Sequence, residues 1–407
     1  MPPKRIRPFD VVLFGASGFT GTLVAHHLAE HGGRLRWAVA GRDAAKLDAL
    51  VAELPIADPM HRPAVLVADA LRREDMARLA GEARVICSTA GPFARYGSEL
   101  VAACAAAGTD YCDITGEVHW VREMIDAHHE TARQTGARLV HCCGFDSIPS
   151  DLGTWALQQE MIARHGVPAT AVTAYYEQLK GAVSGGTVAS MLAFAEAARA
   201  DRSLARRVAA PYTLNPDPAY RGADRGDVRA IAYDRTRKVF TMPFIMANTN
   251  ARVVRRSHAL AGFPWGADFT YTEVASSPGT ARGLVRAVTA TGGLAAAVLV
   301  ASSPRLRQLV QRRIPKPGEG PSKEARDAGA FRVRLTGSRG EARVEYVVSD
   351  NADPGYGSTS KMLGQATLCL AFDPLPSEGG CLTPSVAMGA ALLSRLRKVG
   401  LRFAPAD

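Results

Sequence analysis

Cysteine is scarce and irregularly placed: seven residues in 407, an odd number at no repeating interval. That excludes a disulfide framework as the basis of the fold. Histidine pairs occur at His26-His27 and His128-His129, but neither fits a zinc-ligand spacing, so no metal site is expected. The opening stretch "MPPKRIRPFD" lacks the apolar core of a secretory leader, so the expected location is cytoplasmic, with reduced thiols. Acidic residues run short only in the later part of the chain. Residues 1–150 hold 16 Lys and Arg against 18 Asp and Glu, while the remainder holds 33 against 21, so the net charge of +10 arises wholly after residue 150. "RVVRRSH" (252–258) and "RLRQLVQRRIPK" (305–316) carry much of the excess. Two readings stay open for it: a solvated basic face, or attraction to an anionic carrier, thioester or membrane surface. Nucleic acid is not an expected partner, because no recognised binding motif accompanies the charge.

What is present points to a folded chain of two or three domains. Apolar residues make up 47% of it, enough for a substantial core. "FDVVLFGASGFTGTLVAHHLAEHGG" runs from an apolar strand through a glycine loop into helical periodicity. Gly15, Gly18 and Gly21 form G-x-x-G-x-x-G, a variant of the dinucleotide fingerprint. Gly15 permits a tight turn, Gly18 lets backbone N–H groups approach a pyrophosphate, and Gly21 allows close helix packing. The phosphates then meet the positive end of the helix dipole.

The second strand candidate, "LRWAVAGR", ends at Arg42 where NAD-binding domains place an acid for the ribose hydroxyl. A guanidinium suits a 2′-phosphate instead, so NADP is the expected cofactor. Asp43 leaves NAD as the alternative, though it reads better as the N-cap of the following helix. Strand and helix candidates alternate up to "ARLVHCCG", giving six strands and a Rossmann-type doubly wound parallel sheet over residues 1–150. "STAGPFARYG" and "GFDSIPSDLG" leave the fourth and sixth strands at their carboxyl ends, where such sheets bind ligands. Cys142 and Cys143 end a strand and face opposite sides of it, so a shared disulfide is excluded and they are read as structural. Tyr176 and Lys180 repeat the Tyr-x-x-x-Lys spacing of short-chain dehydrogenases, but they follow the sixth strand in a β-like run and are read as a chance pairing.

Beyond residue 150 the pattern changes. "TAVTAYYEQL", "KVFTMPFIMA", "ADFTYTEV", "AFRVRLTG" and "ARVEYVVS" predict a second, α+β domain over 151–354 with a mostly antiparallel sheet. Residues 283–303, "GLVRAVTATGGLAAAVLVASS", predict a helix buried in the core or in a homodimer interface, with peripheral membrane or acyl-chain contact as the rival. Residues 355–407 are expected to form helices packing back on the first domain.

"GASGFTG", "AGR", "AGPFARYG", "DITGE", "CGFDSIPSDLG", "SGGT", "VVRRS", "GEGP" and "DPGY" occur in an order that resembles the saccharopine-dehydrogenase-like oxidoreductases, and among them the bacterial trans-acting enoyl reductases. The likeness runs from about residue 9 to 405. It implies a reductase that uses NADPH to saturate a double bond in a polyketide- or lipid-derived acyl chain, with a small-molecule or carrier-bound substrate. It implies that Gly15, Ser17, Gly18, Phe19, Thr20 and Gly21 line the pyrophosphate and that Arg42 meets the adenosine ribose. Ala90 and Gly91 would lie nearer the nicotinamide, and the loop containing Gly144 would close the site, with Asp146 or Asp151 capping a helix. Tyr96, which follows the fourth strand, is the candidate proton donor. A C–N oxidoreductase and a non-catalytic NADP-binding, lipid-associated protein are the alternatives.

Overall fold

A computed structural model describes residues 7–56, 58–181, 194, 198–199, 201–217, 219–303, 320–375 and 378–406. The basic segment 305–316 and the "SGGT" motif at 184–187 lie outside them. The chain forms two compact units, one comprising Met1–Ile148, Pro317–Pro321 and Gly355–Val399, the other Pro149–Lys316, Ser322–Pro354 and Gly400–Asp407.

The first unit is built on a parallel sheet of β1 (Phe9–Phe14), β2 (Trp37–Gly41), β3 (Ala64–Val67), β4 (Ala83–Ser88), β5 (Asp110–Asp113), β6 (Arg138–Val140) and β13 (Gly380–Leu382). Their spatial order is β13-β6-β5-β4-β1-β2-β3. Val11, Val12, Leu13, Val85 and Ile86 are fully buried. Strands covered on both faces read as continuous apolar runs, which is why this sheet was visible in sequence. Chain order reverses direction between β1 and β4, the switch point at which doubly wound sheets bind ligands.

Helices α1 (Phe19–His31), α2 (Ala44–Glu53), α3 (Arg73–Glu82), α4 (Phe93–Tyr96), α5 (Ser98–Ala107) and α6 (Val118–Thr135) connect the strands. Asp43 caps α2 by accepting from the Lys46 N–H at 3.1 Å. Helices α5 and α6 end at Gly108 and Gly136, both left-handed, where a side chain would be strained. The seventh strand was not foreseen: three residues are too few to show periodicity. It is brought in by α12 (Thr359–Phe372) and α13 (Pro384–Lys398). Helix α12 is buried along almost its whole length and packs on α1 and α13. At the α1 contact, the Gln365 amide donates to His27 Nε2 at 2.9 Å. Burial lowers the His27 pKa to about 3, which keeps the imidazole neutral.

The second unit carries β7 (Ala171–Lys180), β8 (Ala232–Asp234), β9 (Val239–Met242), β10 (Thr270–Pro278), β11 (Ala330–Arg339), β12 (Ala342–Asp350) and β14 (Arg402–Pro405). Their order is β14-β12-β11-β7-β10-β9-β8. Only β7 and β10 run parallel, so the sheet is mostly antiparallel as expected. Helices α7 (Ile148–His165), α8 (Arg202–Ala209), α9 (Ala247–Leu260) and α11 (Lys323–Asp327) belong to this unit apart from Ile148. Residues 400–407, expected among helices on the first unit, instead supply β14, paired with β12. The short run after Gly400 alternates Phe403 inward with Arg402 outward, a strand period too brief to outweigh the adjoining helix signal.

The basic segment 252–258 is not a solvated or ligand-attracting face. Arg252, Arg255 and Arg256 on α9 are 0%, 2% and 2% exposed. Arg252 pairs with Asp227 at 2.6 Å and donates to the Ala209 carbonyl at 2.9 Å. Arg255 pairs with Asp224 at 2.6 Å and donates to the carbonyls of Pro211 and Tyr271. Arg256 donates to the Leu214 carbonyl. These arginines therefore bind the segment between residues 209 and 227 to the helix, and charge count alone could not reveal their partners.

Removing one member of a buried ion pair leaves the other charge uncompensated. Arg255→Leu is expected to cost about 3–5 kcal/mol in urea unfolding, whereas the exposed Arg339→Leu should stay within about 0.5 kcal/mol of the parent. Equal effects of the two substitutions would refute the structural role.

Candidate active site

The turn between β1 and α1 is shaped by what it cannot hold. Gly15 has φ +83°, and a Cβ there would stand 2.9 Å from the Ala90 nitrogen. A Cβ on Gly21 would stand 2.3 Å from the Gly15 carbonyl oxygen. Both are closer than real side chains come, so only glycine fits. Gly18 is the N-cap of α1 and provides no side-chain cap, leaving the first-turn N–H groups available to an anion. Ser17 lies beside Gly41 at the end of β2, 3.6 Å from the position of a Cβ there. Phe19 and Thr20 form the first turn. The Phe19 ring packs edge-on against Tyr356 at 4.7 Å, so it holds the turn by packing and any contribution to phosphate binding comes from its backbone.

Arg42 follows β2 directly, is exposed, and makes no ion pair among the described residues. Asp43 beside it is committed to capping α2. The pattern fits a phosphorylated ribose better than a free diol, because the acid is engaged and the cation is not.

The ends of β4, β5 and β6 are tied together by two carboxylates. Asp113 Oδ1 accepts from the N–H groups of Thr115 and Cys142 at 3.0 and 3.1 Å, and Oδ2 lies 2.7 Å from His141 Nδ1. Glu117 accepts from the N–H groups of Phe93 and Ala94 at 2.8 and 2.9 Å, capping α4. Neither role was read from sequence. The only signal was the pair of acids at the end of β5 and just past it, in "DITGE". Thr89 donates to the Gly15 carbonyl at 3.1 Å, so the segment with Ala90 and Gly91 is pinned beside the glycine turn.

Tyr96 is the last residue of α4, half-buried, with the Arg95 guanidinium 5.1 Å from its ring centre. Its hydroxyl has no hydrogen-bond partner among the described residues. Cys142 and Cys143 are buried cysteines lying just past β6 rather than within it, Cys142 with φ +63°. Gly144 is buried, and a Cβ there would meet Thr359 at 3.1 Å and Ile114 at 3.2 Å. Its smallness thus serves packing inside the unit. Asp146, partly buried, makes no helix cap: among the described residues it has no hydrogen-bond partner, and burial raises its pKa to about 6. Asp151, in the first turn of α7, accepts from the Ser257 hydroxyl.

In the second unit, Tyr176 belongs to a buried cluster that has no counterpart in the Tyr-x-x-x-Lys reading. The Ser150 hydroxyl lies 2.8 Å from the Tyr176 hydroxyl and donates to Glu273 at 2.5 Å. Asn250 donates to both Tyr176 and Glu273 at 3.2 Å. Lys180 is exposed at the far end of β7, on a strand where four residues span about 13 Å. Tyrosine and lysine are therefore not brought together. Burial raises the Glu273 carboxyl to a pKa of about 7. Among the described residues, no three His, Cys, Asp or Glu side chains are grouped to hold a metal ion.

Residues 11–140 match the saccharopine dehydrogenase NADP-binding domain. A Mycobacterium tuberculosis protein provisionally named a trans-acting enoyl reductase is 41% identical, with 97% of each chain covered. The trans-acting enoyl reductase of Mycobacterium ulcerans is 38% identical over 97% of each chain. Among solved structures, the saccharopine dehydrogenase (L-Glu forming) of Saccharomyces cerevisiae superposes with a TM-score of 0.55 at 12% identity, covering 98% of this chain and 99% of the other. That likeness is one of fold.

Glu273 sets the pH dependence expected of the second unit. Its ordinary pKa is 4.5 and its folded value about 7, so the unfolded chain ionises first as pH rises. The stability is full below pH 4.5 and falls between there and 7. Glu273→Gln, which mimics the protonated carboxyl, should gain on the parent between pH 5 and 8 by up to about 3 kcal/mol. Thermal or urea unfolding at the two pH values measures it, and a difference independent of pH would count against a buried neutral Glu273.

Proposed function

This chain belongs to the saccharopine-dehydrogenase-like family of NADP-binding oxidoreductases, alongside the trans-acting enoyl reductases, and from that premise we propose that it reduces the C=C bond of an enoyl thioester at the expense of NADPH. On this reading the substrate is an acyl chain of polyketide or lipid origin delivered on a separate carrier; the relatives' name, trans-acting enoyl reductase, supports the enoyl part of it. A cytoplasmic location is part of the same reading. The observation that carries the cofactor assignment is Arg42: exposed and without an ion pair at the end of β2, beside an aspartate already engaged.

Gly15, Ser17, Gly18, Thr20 and Gly21, with the Phe19 backbone, hold the pyrophosphate at the open end of α1. Arg42 holds the 2′-phosphate. Ala90 and Gly91, fixed by Thr89, bound the nicotinamide end. When bound, the cofactor supplies a hydride equivalent to the β-carbon of the enoyl group. The chain's own part is to stabilise the resulting enolate and to protonate its α-carbon. Tyr96 holds one candidate proton, on a hydroxyl positioned by the Glu117-capped turn. Asp146 holds another, on a carboxyl whose pKa of about 6 keeps a protonated fraction near neutral pH.

Arg42→Ala is expected to weaken NADPH binding by about 1.5–3 kcal/mol, the scale of a charged hydrogen bond, and to leave NADH binding nearly unchanged. Titration of nicotinamide fluorescence decides it, and equal losses for both cofactors would sink the assignment. The reaction class is tested by NADPH oxidation against enoyl-thioester, imine and ketone panels, with turnover expected on the first alone. If Asp146 is the acid, the rate falls as pH rises through about 6, and Asp146→Asn abolishes that limb. If Tyr96 is the acid, Tyr96→Phe lowers kcat by about 10²–10⁴-fold, and Asp146→Asn leaves the pH profile as in the parent.

A further inference from the structure

Helix α10 (Ala281–Ser302) is where the expectation of burial in the core of this chain fails. Its stretch Ala281–Val300 has a mean hydropathy of 1.7 and is only 11% buried. The helix is fastened at its start. Thr280 caps it by accepting from the Gly283 N–H at 3.1 Å, Ser277 donates to the Gly283 carbonyl at 2.8 Å, and Ala287 is fully buried. Its contacts within the unit are with β9 and β10. Beyond Ala287 the apolar surface is not a stripe. Val288 is 54% exposed and Leu299 63%, and Gly292, Gly293 and Ala295 to Ala297 are exposed as well. A helix apolar on every side belongs in a core or in lipid, and this one is not in a core.

Charge selects the occupant. From Ala287 to Ser303 the sequence has no charged residue; Arg282 and Arg286 precede this stretch, and Arg305, Arg307, Arg312, Arg313 and Lys316 follow it without one acid before Lys316. Cations at both ends of an uncharged apolar helix match an anionic lipid surface, to which each basic residue near the headgroups adds attraction. A second copy of this chain would meet the same cations with its own, and one facing helix would cover one side only. The 17 uncharged residues 287–303 span about 26 Å as a helix, short of the roughly 30 Å apolar thickness of a bilayer. We propose that α10 docks the protein on an anionic membrane, lying in the interface with its apolar surface in the acyl region and Arg282 and Arg286 among the headgroups. Docking would hold the protein where long acyl chains reside, but it does not depend on the enoyl reductase reading.

Co-sedimentation of the full chain with phosphatidylcholine vesicles, with and without phosphatidylglycerol, tests it. Binding is expected to the anionic vesicles, to weaken at high salt, and to fall by about tenfold or more in Val288→Asp/Leu299→Asp, since a carboxylate in the acyl region is costly. Both positions are exposed, so the variant should melt with the parent by circular dichroism. Three results would overturn the proposal: a parent that stays in the supernatant with both vesicles, a variant that binds as the parent does, or a parent dimer split by the same substitutions with no vesicle binding. NADPH oxidation on soluble short enoyl thioesters is measured in parallel, and its success or failure leaves the membrane result standing.

Discussion

A Cβ on Gly21 would stand 2.3 Å from the Gly15 carbonyl oxygen, and the first unit is arranged around that missing atom. Helix α1 can leave β1 at such close range only because neither end of the turn carries a side chain there. The same carbonyl accepts from the Gly18 N–H and from the Thr89 hydroxyl, both at 3.1 Å, so the β4 exit is registered against the turn. With α1 set on the sheet, its flank receives α12, which also packs on β4 and β5, and there His27 stays neutral beside Gln365. Helix α12 then leads the chain to β13 at the sheet's edge. Steric exclusion at one turn thus propagates to the neighbouring helix on the same sheet.

Rigidity of the candidate site has a separate source. Loops at strand ends have few contacts of their own, and here buried carboxylates supply the fastening. Asp113 ties the exits of β5 and β6, and Glu117 holds the turn that carries Tyr96. Each takes up backbone N–H groups that would otherwise be unsatisfied, a cost comparable to a lost hydrogen bond. Tyr96 and Asp146 are left without such bonds among the described residues. Side chains free of structural hydrogen bonds beside a fastened frame are suited to exchanging protons.

The second unit inverts the usual distribution of polarity. Three arginines of α9 lie in its interior, matched to Asp224, Asp227 and backbone carbonyls. Meanwhile the apolar helix α10 lies at the surface. Both inversions are tolerable for the same reason: a buried cation with a paired carboxylate and satisfied donors avoids the penalty of an isolated charge, and an exposed apolar helix is stable once something less polar than water covers it.

Local chemistry was legible from sequence wherever it repeated along the chain. Continuous apolar strands, the spacing of Gly15, Gly18 and Gly21, and Arg42 in the place of an acid each depend on residues close in sequence. Asp43 as a cap was legible for that reason, as were the parallel sheet and the alternating strands of the second sheet. Whether a residue is buried, and against what, depends on partners far away in the chain. Arg255 meets Asp224 across 31 positions, Ser150 meets Glu273 across 123, and Phe145 meets Thr359 across 214. No periodicity encodes such pairs, so a basic run could read as a solvated face and an apolar helix as core. The sequence by itself determined the fold class, the glycine turn and the cation at the end of β2. Only the tertiary structure decided which charges are interior and which apolar surface is not, because burial belongs to contacts between segments and not to any one of them.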